Sequence, residues 1–310
     1  MEPYHIPVMF DECMEALQVK DDGIYFDGTL GGGSHTAGIL SRGGRVIAVD
    51  RDDDAIEYCR QRFADSPFAD HLTVVKSNFK DFSHIIAKLG VKKIDGALLD
   101  LGISSHQISS VERGFTFQQD APLDMRMDRE QKLSAKDIVN SWPQEKIADV
   151  IFDYGEEKFA KRIAANICAF RQKKEIETTF ELVDIIKHSV DSAAMKNGHP
   201  AKRTFQALRI AVNDELSGLG ELIEDIVNKL NVGGRIAIIS FHSLEDRIVK
   251  RKFAFMATDC ICDKTLPVCV CGHKADIKII GKYRPSEKEL DKNPRSSSAT
   301  LRVAEKLAKK

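Results

Sequence analysis

A chain of 310 residues has room for one large or two medium domains with a sizeable buried core. Its 46 basic and 47 acidic residues nearly cancel, so any nucleic-acid surface has to be a local patch rather than a global field. No apolar run reaches membrane-spanning length, and Met1-Glu2-Pro3-Tyr4-His5 lacks the basic start and apolar core of a secretory signal. Seven scattered cysteines, an odd number, do not suit a secreted disulfide framework, so the expectation is a cytosolic protein with no membrane association.

Pro3 to Pro7 reads as extended, and Phe10, Met14 and Leu17 have the spacing of a helix that covers one end of a sheet. The apolar run Ile24-Tyr25-Phe26 then leads into Asp27-Gly28-Thr29-Leu30-Gly31-Gly32-Gly33-Ser34-His35 and on to Thr36-Ala37-Gly38-Ile39-Leu40. This is a strand, a tight turn and a helix start. Glycines there allow positive φ and close approach of a ligand, and the free N–H groups of a helix start favour acceptor or anionic groups. Arg45 to Asp50 is a second strand ending in a carboxylate about 20 residues past the first glycine, where an acid can grip a ribose diol.

The loop departs from two phosphate-binding patterns. Counted in G-x-G-x-x-G register from Gly31, Thr36 replaces the third glycine, and no Gly-Lys-Ser/Thr follows. A cofactor with an adenosine and an amino-acid end but no phosphate, S-adenosylmethionine, fits better than a nicotinamide dinucleotide.

Asp53 to Phe63 reads as a helix, Leu72 to Val75 as a third strand with Phe79 beyond its carboxyl end, and Ile85 to Leu89 as part of another helix. An aromatic ring at position 79 can flank an adenine or simply fill the core. Ile94 to Asp100 is a fourth, nearly all-apolar strand, and Leu101 to Gln107 a polar loop after it. Open α/β sheets bind ligands outside the carboxyl ends of their strands, so Gly31–His35, Asp50, Phe79 and Asp100–Gln107 are expected to converge on one cleft.

The alternation then stops. Arg113-Gly114-Phe115 and Pro122 to Asp128 lie in a loop-rich stretch followed by helical segments to about residue 196, with capping-box spacing at Ser141/Gln144 and Thr178/Glu181 and a helix stop at Gly155. The expected organisation is an α/β domain of residues 1–133 and 199–310 interrupted by a helical insertion at 134–198, which covers the cleft, holds a substrate or is a structural elaboration. A long helix through Phe205, Leu208, Ile210 and Val212 and another to Leu230 follow. The strand Arg235 to Ser240 then leads to Phe241-His242-Ser243-Leu244-Glu245-Asp246, where Ser243 and Asp246 have capping-box spacing and His242 falls beside the cleft. Ala299 to Val303 is a last strand, followed by a Lys-rich tail.

Cys260, Cys262, Cys269 and Cys271 form two C-x-C pairs in a loop. Such pairs can chelate zinc, yet the spacing is less diagnostic than C-x-x-C, and reduced loop thiols without metal are the expectation. Lys202, Arg203, Arg209, Arg247, Lys250, Arg251 and Lys252 supply a basic rim for RNA or an ordinary solvated face.

His5 with Pro7-Val8, the Asp27–His35 loop, Asp100 to Ser105, Arg113-Gly114-Phe115, Pro122 to Asp128, Arg203 to Ala207 and Ser240 to Arg247, in this order, closely resemble the RsmH (MraW) family. Two departures stand out: Ser34 replaces a frequent glycine, and the cysteine cluster is not a general family feature. The resemblance implies a Rossmann-like class I S-adenosylmethionine-dependent methyltransferase, a bacterial 16S rRNA (cytosine-N4)-methyltransferase acting in the decoding region within the small ribosomal subunit. Its cofactor positions fall on Gly33, Ser34, His35, Asp50, Phe79, Asp100 and Gln107. Asp124 and His242 are the residues expected to touch the base or its amine. A methyltransferase for a small molecule or protein, and a non-catalytic RNA-binding assembly factor, are the rival readings.

Overall fold

A computed structural model describes residues 7–191, 198–263, 265–266 and 268–308. Residues 3–6 of the extended segment expected over Pro3 to Pro7, with His5, lie outside them, as do residues 192–196 of the expected helical stretch and the last two residues of the tail. The chain divides into two compact units, Met1–Gly102 with Ser217–Lys310, and Ile103–Leu216.

The first unit is built on seven strands: β1 (Ile24–Asp27), β2 (Arg45–Asp50), β3 (Leu72–Lys76), β4 (Ile94–Asp100), β5 (Leu230–Ser240), β6 (Ile277–Tyr283) and β7 (Thr300–Lys306). Their order is β3-β2-β1-β4-β5-β7-β6. The first five strands pair parallel, and β7 enters antiparallel between β5 and β6. Successive residues point to opposite faces of a strand. Phe26, Ile47, Val49, Ala97, Leu99, Ile236 and Ile238 accordingly join one core, with the helices Phe82–Lys88, Leu219–Lys229 and Ser243–Met256. Tyr25, Val46, Ala48, Leu98, Ala237 and Ile239 join the other, with Phe10–Leu17, Ser34–Leu40 and Asp53–Phe63. Burial on both faces explains why β4 reads as an unbroken apolar run. The fold is a Rossmann-like α/β sheet of the class I methyltransferase type, with its switch point between β1 and β4, where the strand order reverses.

β6 had no expectation from sequence. It is an edge strand, mostly exposed, with a register shift between Ile279 and Gly281 and lysines that discourage further pairing, so its hydrophobic alternation is brief.

The second unit has a separate core of Leu123, Met125, Ile138, Ile147, Ile151, Ile163, Ile167, Leu182, Ile186, Phe205 and Leu208, among others. It contains the 134–198 segment and adds 103–133 and 199–216 to it. The Thr178/Glu181 capping box is present, and Gly155 ends the helix Gln144–Gly155. The Ser141/Gln144 box is not: Ser141 is the last residue of the helix Ala135–Ser141, which Ser134 and Asp137 cap. Trp142 precedes Pro143, whose ring disfavours helical backbone at the residue before it, and Trp142 is extended with ψ 150°.

Candidate functional site

The carboxyl ends of β1, β2 and β4 bring the Gly-rich loop, Asp50 and Asp100 together. The loop hangs from the sheet by backbone bonds, Gly28 N donating to Leu98 O (3.0 Å) and Leu30 N to Val49 O (2.9 Å). Gly31 and Gly33 take φ of 48° and 72°, and a Cβ on Gly33 would come within 2.8 Å of Phe63 and 2.9 Å of Cys59. Left-handed backbone and lack of room together require glycine there. Ser34 and His35 then open the helix Ser34–Leu40.

Asp50 holds the turn. Its Oδ2 accepts from Gly31 N (2.8 Å) and its Oδ1 from Asp52 N (3.0 Å). Removal from water pushes this carboxyl up, and the two N–H donors partly offset the rise. Each oxygen has two lone pairs, so acceptor capacity remains for a diol.

Asp100 N donates to Thr29 Oγ1 at 2.6 Å, tying β4 to the loop. Asp100 Oδ1 is buried and has no hydrogen-bond partner, and Oδ2 lies 4.0 Å from His35 Nδ1. Burial, and then the charges of Asp27 and Glu245, push its carboxyl well above the ordinary range. A buried acceptor without a donor is costly, and a ligand that brings an N–H or a positive charge removes the cost. His35 is buried, with Nε2 3.2 Å from Val8 O and its ring stacked on Phe10.

Two residues of the loop that sequence reasoning passed over as ligands prove to organise it. Asp27 is 1% exposed and accepts from Thr36 Oγ1 (2.7 Å) and Thr29 N (3.1 Å); burial raises its carboxyl to about 6. Thr29 bridges the backbone of Asp100 to this group. Their positions within an apolar strand end and a small polar loop were the only available signal. Phe79 opens the short turn Phe79–Asp81, with Arg51 over its ring at 5.9 Å, and its Cβ lies 3.1 Å from where a Cβ on Gly28 would sit.

His242 follows β5 and caps the helix Ser243–Met256. The expected Ser243/Asp246 box is displaced by one residue: His242 Nδ1 accepts from Glu245 N (3.4 Å), and Glu245 Oε2 accepts from Phe241 N (2.8 Å) and His242 N (3.3 Å). Asp246 is drawn away to Arg302 of β7, with contacts of 2.7 and 3.0 Å. The His242 Nε2 lies 3.1 Å from Glu245 Oε1 outside hydrogen-bonding geometry, and is buried with no hydrogen-bond partner.

Gln107 and Asp124 belong to the second unit. Gln107 is buried and completes a capping box with Ser104, its Oε1 accepting from Ser104 N at 3.0 Å. Asp124 is bidentate with Arg126, Oδ1 to Nε and Oδ2 to Nη2, both 2.8 Å. Burial pushes its carboxyl up, but the hydrogen bonds and charge of Arg126 outweigh this and hold it below its ordinary value. The surrounding loop is set by Arg113, whose Nη2 donates to Arg126 O and Met127 O, and by Asn213, which donates to Met125 O (2.7 Å) and accepts from Met127 N (2.8 Å). Gly114 packs so tightly that a Cβ would come within 2.2 Å of Pro122 O. Of the basic residues singled out, Arg209 is bidentate with Glu215 and Lys252 pairs with Glu224, whereas Arg247, Lys250 and Arg251 are exposed along the helix Ser243–Met256.

S-adenosylmethionine presents a ribose diol, an ammonium and a sulfonium, and the site answers with Asp50 and with the unsatisfied carboxylate oxygen of Asp100. The residues fit that group. No helix among the described residues is long and apolar enough to cross a membrane.

The family model described as the MraW methylase family matches residues 2–307. The ribosomal RNA small subunit methyltransferase H of Brevibacillus brevis is 49% identical over 310 residues, covering 98% of each chain. The protein of the same name from Heliobacterium mobile is 50% identical over 314 residues, covering 99% of this chain and 100% of its own. That from Clostridioides difficile is 49% identical over 313 residues, with 99% and 100% covered. With its glycine turn, its two strand-end acids and a match along almost its whole length, the chain belongs to the MraW methylase family.

Proposed function

We propose that this protein transfers a methyl group from S-adenosylmethionine to N4 of a cytosine in the decoding region of 16S rRNA, within the small ribosomal subunit and in the cytoplasm. Near-half identity over full length to proteins named ribosomal RNA small subunit methyltransferase H supports the substrate. The observation that carries the cofactor assignment is the partnerless buried oxygen of Asp100 beside the Gly-rich turn. Gly33, Ser34, His35, Asp50, Phe79 and Asp100 are its proposed holders in the sheet unit, and Gln107 in the other.

S-adenosylmethionine supplies an electrophilic methyl group on sulfur, so the protein's task is chiefly to hold the acceptor amine in line and keep water out. Cytosine N4 is a weak nucleophile because its lone pair is delocalised into the ring. With Nδ1 accepting from Glu245 N, the His242 Nε2 carries the ring's proton, and His242 is proposed to touch the base by donating that N–H to one of its acceptors, while Glu245 fixes the ring through the helix cap. Asp124, occupied by Arg126, is proposed to act on the base through the shape of its loop. The Ile103–Leu216 unit, including 134–198, is proposed to recognise the substrate, and the base enters unpaired or flipped out. Arg247 and Arg251, one turn apart and exposed, are proposed phosphate contacts.

Methyl transfer from labelled donor to purified small subunits, free rRNA and a protein extract, followed by nucleoside analysis, tests the reading. N4-methylcytidine in the 16S rRNA of small subunits is expected; label only in protein, or in another nucleoside, overturns it. Charge reversal at Arg247 and Arg251 is expected to lower the magnitude of the salt slope of RNA binding by about 2, with cofactor affinity unchanged. An unaltered salt series removes both from the RNA surface.

A further inference from the structure

The connection between the helix Ser243–Met256 and β6, residues 257–276, is long for a segment with no helix or strand among its described residues. Hydrophobic burial does not hold its shape, because Ile261, Leu266, Val268 and Val270 are 47–76% exposed. What its interior contains instead is sulfur. The Sγ atoms of Cys260, Cys262, Cys269 and Cys271 all lie within 4.8 Å of one another. Cys260 to Cys269 is 3.4 Å, Cys269 to Cys271 3.6 Å, Cys260 to Cys271 3.8 Å and Cys262 to Cys269 3.9 Å. A tetrahedral Zn–S bond of about 2.3 Å implies S···S edges of about 3.8 Å, while a disulfide needs about 2.05 Å. The spacing matches the edges of a metal tetrahedron and is far too long for covalent pairs.

The backbone around the sulfurs is arranged in the same sense. Ile261 N points at Cys271 Sγ (3.5 Å) and Val270 N at Cys262 Sγ (3.3 Å), so each C-x-C turn directs an N–H at a sulfur of the other. His273 N adds a second donor to Cys271 (3.4 Å). N–H groups aimed at sulfur stabilise thiolates, the form in which cysteine binds metal.

We infer that these four cysteines form a structural zinc site that staples the 257–276 connection. Four thiols bind one Zn²⁺ as thiolates, and their protons pass to solvent. Four sulfur ligands leave no open position for water, so the site is structural rather than hydrolytic. Zinc is preferred over iron because it has no redox chemistry to expose at a surface where three of the four cysteines are exposed.

The test uses the full-length protein, purified without chelators under reductant from zinc-supplemented culture. Elemental analysis is expected to give close to one zinc per chain, and Cys262→Ser with Cys269→Ser to drop it at least tenfold while circular dichroism and S-adenosylmethionine binding stay unchanged. Cobalt added to the metal-free protein is expected to give the absorption of a tetrahedral tetrathiolate. Zinc removal is expected to speed proteolysis within 257–276 at least tenfold. Absence of both zinc and cobalt uptake overturns the site, as does fewer than seven titratable thiols after anaerobic denaturation with chelator, which would reveal disulfides. Zinc retained by the double variant places the metal elsewhere, and stoichiometric iron in its stead refutes the metal assigned.

Discussion

Asp100 and Asp124 both stand out in the sequence as acids of the site, and the folded chain uses them in opposite ways. Asp100, at the end of β4, keeps one buried oxygen without a hydrogen-bond partner, and burial drives its carboxyl up. Asp124 has both oxygens on Arg126, and its carboxyl is held down. An acid whose hydrogen bonds are filled by its own chain contributes to the shape of a loop; an acid left short of a donor is prepared for a ligand at a cost in stability. The sheet unit thus gathers buried carboxyls with raised values at its strand ends, Asp27, Asp50 and Asp100, of which Asp100 is left short of a donor, whereas the helical unit uses Asp124, Arg113 and Asn213 to hold the Pro122–Asp128 loop.

The largest expected effect tests this through pH. A carboxyl moved from 3.8 to about 6 on folding, as for Asp27, represents about 3 kcal/mol. Because the folded value is raised, the native state binds the extra proton between about pH 4 and 6, and stability falls as pH rises through that window. Denaturant unfolding at a series of pH values should show this fall, and Asp27→Asn should flatten it. An equal slope in the variant would mean that Asp27 ionises in the fold as freely as in the unfolded chain. For Asp124 the sign is reversed: its folded value is lowered, so its contribution is present above the unfolded value near 4 and is lost as pH falls through the lower, folded one.

Next in size, Asp100→Asn should weaken S-adenosylmethionine binding by about 1.5–3 kcal/mol, roughly 10- to 150-fold, through loss of a charge-assisted contact. At pH values where the parent ionises Asp100, the variant's thermal stability should be equal to or above that of the parent, since an unpaired buried charge is gone. Calorimetric titration in buffers of different ionisation heat should also show the parent releasing protons on binding near the folded value of Asp100, and Asp100→Asn releasing fewer. Undiminished affinity would take Asp100 out of the site.

The smallest effect is expected at Asp124. Asp124→Ala should lower stability by about 1–2 kcal/mol, as a bidentate, partly buried pair is lost, and leave cofactor affinity unchanged. If turnover of the folded variant nonetheless falls by orders of magnitude at full stability, Asp124 acts on the base directly and the contrast with Asp100 fails.

Several features were legible in the amino-acid sequence. The Gly-rich turn, the strand-end acids Asp50 and Asp100, the apolar β4 and the cap at Thr178 each depend on a few consecutive residues, and local chemistry decides them: positive φ, an apolar run, a side-chain oxygen three residues from a carboxylate. The family motifs too are contiguous, which is why they could be recognised without the fold.

What tertiary structure alone decided are partners distant in sequence. Thr29 meets the backbone of Asp100 across 71 positions, and Asn213 reaches Met127 across 86. Arg302 takes Asp246 from across 56 positions, and with Asp246 engaged there His242 and Glu245 form the cap that Ser243 and Asp246 were expected to make. The antiparallel insertion of β7 supplies the partner for β6, whose Ile277, Ile279, Ile280 and Tyr283 suit a strand but carry only a brief alternation. A carboxylate's identity is written at its position, but whether it is satisfied depends on which donors the sheet and loops bring within about 3 Å of it.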